Sequence, residues 1–234
     1  MEQQVRGGHQ KIPRPQNWFL GLPPPWEKID HKKLTMDSIE ESFRRASQPQ
    51  PSIADYERTS SVMIPLYEHG DQVHMILTRR SKMMRHHTSE ISFPGGNSEP
   101  QDTDEWSTAK REAHEEINLD PSLPKKIGIL DPFVTVGSRS FVTPIVATLQ
   151  KLPELKASPH EVEKILYVPL SEFLLPDVYR EEVWELRDGQ QRNINFFELI
   201  GDTVWGATGS MIKQFLLIIL GLQHNDESSK RKQF

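Results

Sequence analysis

The run Arg111-Glu112-Ala113-His114-Glu115-Glu116-Ile117-Asn118-Leu119 places three carboxylates and a guanidinium within six residues. Wound as a helix, at roughly 100° per residue, Glu112, Glu115 and Glu116 share one face. Like charges at that spacing repel by about 0.2–0.5 kcal/mol per pair. Trp106, Ala109, Ala113 and Ile117 fall on the adjoining arc and would face a sheet. The carboxylates therefore border a buried stripe, where desolvation makes their repulsion worse. Arg111 can offset one charge through an ion pair, and it cannot offset three. Hard divalent cations take oxygen ligands, and Mg²⁺ is commonly held by a few carboxylates together with substrate phosphates. On spacing alone, a solvated acidic face is the simpler reading.

The flanking elements shift that balance. Gly95-Gly96 follows the strand-like Ile91-Ser92-Phe93 and precedes the helix, where only glycine lets backbone approach a ligand closely. Asn118 stands just past the helix, at a position that favours a residue able to adopt the left-handed conformation. The spacing predicts a helix over Thr103–Ile117 and another over Thr208–Leu222, with a weaker helical stretch near Asp37–Ala46. Apolar runs at Ser61–Tyr67 and Val73–Arg79, separated by Glu68-His69-Gly70-Asp71, predict a hairpin. Further strands are expected at Ile127–Val136, Phe141–Leu149 and Lys164–Val168. A second hairpin is expected from Val183–Arg187 to Asn193–Leu199, turning at Asp188-Gly189. Strands with one helix in mid-chain and one at the end predict an α/β fold, a mixed sheet with helices on its faces.

Residues 1–60 read as a proline-rich extension draped on the domain, with Trp18, Phe19 and Trp26 as candidate anchors, or as a loose leader. Residues 61–222 form the expected domain, and 223–234 a polar, disordered tail. A net charge of −5 over 234 residues gives no global basic field for nucleic acid. The absence of cysteine excludes disulfides, thiolate metal sites and a cysteine nucleophile, and fits a reducing compartment. The apolar run Phe215–Leu220 is far short of the about 20 residues that span a bilayer. No signal peptide is visible, so a cytoplasmic protein without membrane partners is expected.

Gly96 and the run Arg111–Leu119 together resemble the Nudix box, G-x5-E-x7-R-E-U-x-E-E-x-G-U, with U an aliphatic residue. The spacing from Gly96 to Arg111 is one residue longer than that pattern, Asp102 stands at its first acidic position, and Asn118 replaces its glycine. Upstream, the run Leu77-Thr78-Arg79-Arg80-Ser81 through Arg85, His87 and Phe93-Pro94-Gly95-Gly96 resembles L-T-x-R-S-x3-R-x-H-x-G-x3-F-P-G-G, with Ser89 in place of a glycine. That second pattern marks the coenzyme A pyrophosphatase branch of the Nudix hydrolases, in which the longer spacer also occurs. The resemblance extends over about Ser61 to Leu220.

The resemblance implies the Nudix fold, a mixed sheet sandwiched between helices, and metal-dependent hydrolysis of a nucleoside diphosphate derivative. Glu112, Glu115 and Glu116 would hold Mg²⁺ or Mn²⁺, with the Gly95 carbonyl completing the set. One carboxylate, Glu112 foremost, would orient or deprotonate the attacking water, and Arg111 would fix the glutamate rotamers. Glu161 is a candidate late-loop acid for metal or water, or else a plain surface acid. Arg80, Arg85 and His87 are the candidate ligands of substrate phosphates, the 3′-phosphate of coenzyme A included. His86 and His114 are expected to face solvent, and Trp205 and Thr208 to anchor the last helix. The role of Asp102 is open between the site and a helix cap. The expected partner is a small-molecule diphosphate, with room for a homodimer. Other Nudix substrates such as ADP-ribose or NADH, and a non-catalytic nucleotide-binding module, are the alternatives.

Overall fold

The structure is a computed structural model and describes residues 5–8, 10–28, 34–47, 49, 58–83, 88–135, 140–186 and 189–222. The strand β1 (Trp18–Leu20) and helix α1 (Met36–Arg45) precede the hairpin β2 (Thr59–His69) and β3 (Gln72–Arg80). Short strands β4 (Ile91–Ser92) and β5 (Gly95–Asn97) lead into α2 (Glu105–Ile117). Then come β6 (Lys125–Ile129), β7 (Phe133–Val134), β8 (Phe141–Leu149) and β9 (Val162–Pro169). A 3₁₀ turn at Leu170–Leu174, β10 (Tyr179–Glu185), β11 (Gln191–Leu199), β12 (Asp202–Trp205) and α3 (Gly206–Ile219) complete the chain.

Eight strands form one mixed sheet, with β2 parallel to β8 and antiparallel to β3, and β9 along the other edge of β3. Alternation along β2 sends Met63 and Tyr67 to one face and Ile64 and Leu66 to the other. The first face packs under Ala109, Ala113 and Ile117 of α2, the arc expected to meet a sheet. The second meets Ile39 and Phe43 of α1 and Ile212, Phe215 and Leu216 of α3. The mixed sheet thus lies between helices, as an α/β/α arrangement.

A separate four-stranded antiparallel sheet, ordered β1-β10-β11-β12, was not foreseen. Its strand β10 begins at Tyr179 rather than Val183, because Glu181 and Glu182 are buried inside it by partners remote in sequence. Arg14 forks onto Glu182 at 2.6 and 2.8 Å, and Lys213 donates to Glu181 at 2.8 Å. Gly8, Gln10 and Arg14 of the N-terminal arm bond to this sheet, with β1 as its edge strand. The anchor among the three expected aromatic residues is Trp26, 1% exposed, against Tyr179 and Phe197. Trp18 and Phe19 are 40% and 52% exposed, because β1 lies at an open edge. The expected turn residue Asp188 and the tail 223–234 lie outside the described residues.

Candidate active site

Helix α2 starts on a capping box: the Asp104 side chain accepts from the Ser107 amide, and the Ser107 hydroxyl accepts from the Asp104 amide. It ends at Asn118 with φ 55° and ψ 34°, the left-handed cap expected from its side chain. Between these ends it carries Arg111, Glu112, Glu115 and Glu116. The loop before it is held close by β5, whose Gly95 and Gly96 pair with Val62 and Ser61 of β2. A Cβ on Gly95 would sit 2.4 Å from the Ser61 carbonyl oxygen, and one on Gly96 2.5 Å from Oε1 of Glu112. Gly95 is therefore required by close packing against the β2 backbone, and Gly96 leaves the space in which the Glu112 carboxylate rests.

Arg111 is the hub. Its Nη1 donates to Glu112 at 3.0 Å and to Glu115 at 3.1 Å, and its Nη2 donates to the Asn97 carbonyl at 2.7 Å. Its Nε and Nη2 fork onto Asp102 at 3.1 and 3.0 Å. Asp102 also accepts from the Glu99 amide at 2.9 Å and the Thr108 hydroxyl at 3.0 Å. Asp102 is thus neither the helix cap, which is Asp104, nor turned toward the glutamates; it anchors their arginine. The Arg111 hydrogen bonds, with those from Glu99 and Thr108, hold its carboxyl below the usual range.

The three glutamates occupy different environments. Glu115 is half-exposed and pairs with Arg111. Glu112 is largely buried, and burial raises its pKa against the opposing charge of Arg111, with Glu115 and Glu161 adding to the rise. Glu116 is 4% exposed, its Oε2 has no hydrogen-bond donor, and its pKa is pushed up to about 8. Burial is the main cause, reinforced by Glu112 and Glu161; the Arg80 charge and the Gly95 amide act the other way. The charge of Arg80, at the end of β3, thus acts on Glu116, and its own Nε is buried without an acceptor.

Glu161 arrives by backbone pairing that its sequence context does not reveal. The amides of Lys156 and Ser158 donate to the carbonyls of Ile117 and Glu116 at 3.0 and 2.8 Å, closing the end of α2. The Ser81 amide then donates to the Glu161 carbonyl at 2.8 Å, tying that loop to the residue after Arg80. Arg85, His86 and His87 lie outside the described residues. His114 is exposed, with Nδ1 at 3.2 Å from the Leu119 carbonyl, and Trp205 stacks on Phe196 at the start of α3.

Among the described residues no three acidic or histidine side chains stand in a preassembled metal cluster. The donors nevertheless suit a hard cation: they are carboxylate oxygens, and the buried Oε2 of Glu116 lacks any donor of its own. A profile of the NUDIX domain matches residues 57–187, more than half of the chain. The chain belongs to the Nudix family. A Nudix hydrolase NudL of Photorhabdus laumondii, named as uncharacterized, is 34% identical over 182 residues, covering 77% of this chain and 96% of its own. The Mus musculus protein named peroxisomal coenzyme A diphosphatase NUDT7 is 36% identical over 122 residues, 52% of this chain and 51% of its own length. A solved Caenorhabditis elegans Ap4A hydrolase binary complex covers 70% of this chain at 17% identity and a TM-score of 0.48. As a Nudix hydrolase, the chain belongs among enzymes that act on nucleoside diphosphate derivatives with divalent metal. No described helix is long and apolar enough to cross a membrane.

Proposed function

We propose that this Nudix hydrolase cleaves the diphosphate of coenzyme A and its derivatives, giving adenosine 3′,5′-bisphosphate and 4′-phosphopantetheine or its acyl form. The observation that supports this most is Arg80, from the coenzyme A-type loop, with its Nε buried and free of any acceptor and its charge acting on the buried Glu116. A cationic side chain next to the acidic helix face suits a polyanionic substrate bound there. The name of the Mus musculus relative points to the same substrate.

Glu112, Glu115, Glu116, the Gly95 carbonyl and Glu161 would hold Mg²⁺ or Mn²⁺. When bound, the ions supply Lewis-acid stabilisation of the diphosphate and a lowered pKa for the attacking water. Glu112, seated against Gly96 and steadied by Arg111, orients the water and takes its proton as oxygen adds to one phosphorus; the bridging oxygen leaves on the other phosphate. Arg111 acts by position, because Asp102 and the Asn97 carbonyl fix its guanidinium. Arg80, with Arg85 and His87, binds the substrate phosphates. The proposed setting is the cytoplasm, a reducing compartment that the cysteine-free sequence fits.

Incubation with Mn²⁺ and a panel of coenzyme A, its thioesters, ADP-ribose, NADH and diadenosine polyphosphates tests the substrate. Cleavage of coenzyme A at its diphosphate is the expected result. Intact coenzyme A beside cleaved ADP-ribose or NADH would replace the substrate but keep the hydrolase. Binding without turnover across the panel would favour a nucleotide-binding module. Glu116→Gln should lower kcat by at least about a hundredfold, more than loss of an outer partner costs a metal site, with the fold intact. Near wild-type turnover would remove Glu116 from the metal set.

A further inference from the structure

Arg79 occupies the variable position of the loop pattern, beside Arg80, yet it forms an extensive buried ion pair. Its Nε and Nη2 donate to Oδ1 and Oδ2 of Asp202 at 2.8 and 2.6 Å. Asp202 is 1% exposed and opens β12 in the second sheet, beyond the residues matched by the family profile. The same Oδ1 accepts from Gln10 Nε2 at 2.9 Å, and Gln10 Oε1 accepts from the Thr203 amide at 3.1 Å. On its other side, Arg79 Nη1 lies 3.6 Å from Glu163.

Glu163 is where β9 bulges: Arg79 pairs with Lys164 and Arg80 with Val162, so one residue of β9 is left over. A bulge loosens the ladder and lets a strand end be aimed anew. Adjacent strand residues project to opposite faces, so whatever fixes Arg79 also sets the aim of Arg80. A forked guanidinium–carboxylate pair fixes orientation as well as energy. Here it holds Arg79 toward the second sheet, while the neighbouring Arg80 has its Nε buried without an acceptor and its charge acts on Glu116.

We propose that Asp202 is a positioning residue for the reaction: by clamping Arg79 across the bulge, it holds the Arg80 guanidinium where the phosphates of a nucleoside diphosphate substrate bind. The inference rests on the phosphate-binding role given to Arg80 above. Gln10 completes the clamp from the N-terminal arm.

A double-mutant cycle on Arg80→Ala and Asp202→Asn tests it, reading KM and kcat on coenzyme A with Mn²⁺ and the melting temperature of each protein. Asp202→Asn should raise KM about tenfold with kcat within about twofold, and Asp202→Glu should recover part of the loss. In the Arg80→Ala background, Asp202→Asn should add less than about twofold. An unchanged KM in folded Asp202→Asn, or effects that multiply in the double variant, would overturn the proposal. If Asp202→Asn melts below assay temperature, the pair Arg79→Gln with Asp202→Asn leaves no unpaired buried charge and is read in the same cycle. Calorimetry with adenosine 3′,5′-bisphosphate repeats the cycle without turnover. An Arg80→Ala variant that binds this compound as the wild type does defeats the Arg80 assignment and, with it, the role of Asp202. Weakened binding by Arg80→Ala with no coupling defeats the Asp202 inference alone.

Discussion

At Glu116, burial and two neighbouring carboxylates act in the same direction. Its carboxyl has a folded pKa of about 8 against an ordinary 4.5, so folding favours the protonated form. That contribution is fully present below pH 4.5 and is lost as pH rises through about 8. A divalent ion bound here must displace the proton, so its stabilising effect should grow over the same interval. Thermal unfolding with and without Mn²⁺ at pH 6 and pH 8.5 should give the larger metal-dependent shift at the higher pH. Glu116→Gln should flatten the difference; an equal shift at both pH values would place the bound ion elsewhere. The types and spacing of Arg111, Glu112, Glu115 and Glu116 were legible in the sequence, because a helix fixes which side chains share a face. Which of them is buried was not, since it depends on β5 and on the loop at Ser158.

Helix α2 separates two acidic roles that sequence position alone confuses. Asp104 caps it, and Asp102, two residues earlier, holds Arg111. Asp104→Ala should cost about 1 kcal/mol of stability, the usual loss for an N-cap, with turnover unchanged. Asp102→Ala leaves a largely buried guanidinium short of its main partner, so it should cost about 3–5 kcal/mol and also slow turnover. Chemical denaturation paired with kinetics distinguishes them; equal effects of the two variants on turnover would refute the division. The C-terminal end of α2 and the β8 strand were readable because local rules decide them: Asn118 in its left-handed cap and the mostly apolar run at Phe141–Leu149. The start of β10 was not, because Arg180, Glu181 and Glu182 read as solvent-facing until Arg14 and Lys213 are placed beside the glutamates.

Across the whole molecule, the N-terminal arm is part of the second sheet rather than an appendage. Arg14 supplies a forked pair to Glu182, which has no exposure to water. Arg14→Ala should destabilise the protein by about 1.5–3 kcal/mol, because Glu182 loses its fork and keeps only Arg180 and the Trp184 indole N–H, while kcat stays near the wild type. A urea midpoint unchanged in Arg14→Ala would show the arm to be energetically idle. The Gly8 amide donates to the Thr203 hydroxyl across 195 positions of chain, and Gln10 meets Asp202 across 192. During synthesis the arm therefore emerges long before the surface that receives it exists. Its docking closes the widest loops among the described residues and belongs at the end of folding, after β10, β11 and β12 have assembled. A nascent chain halted before Asp202 would carry an arm still open to proteases.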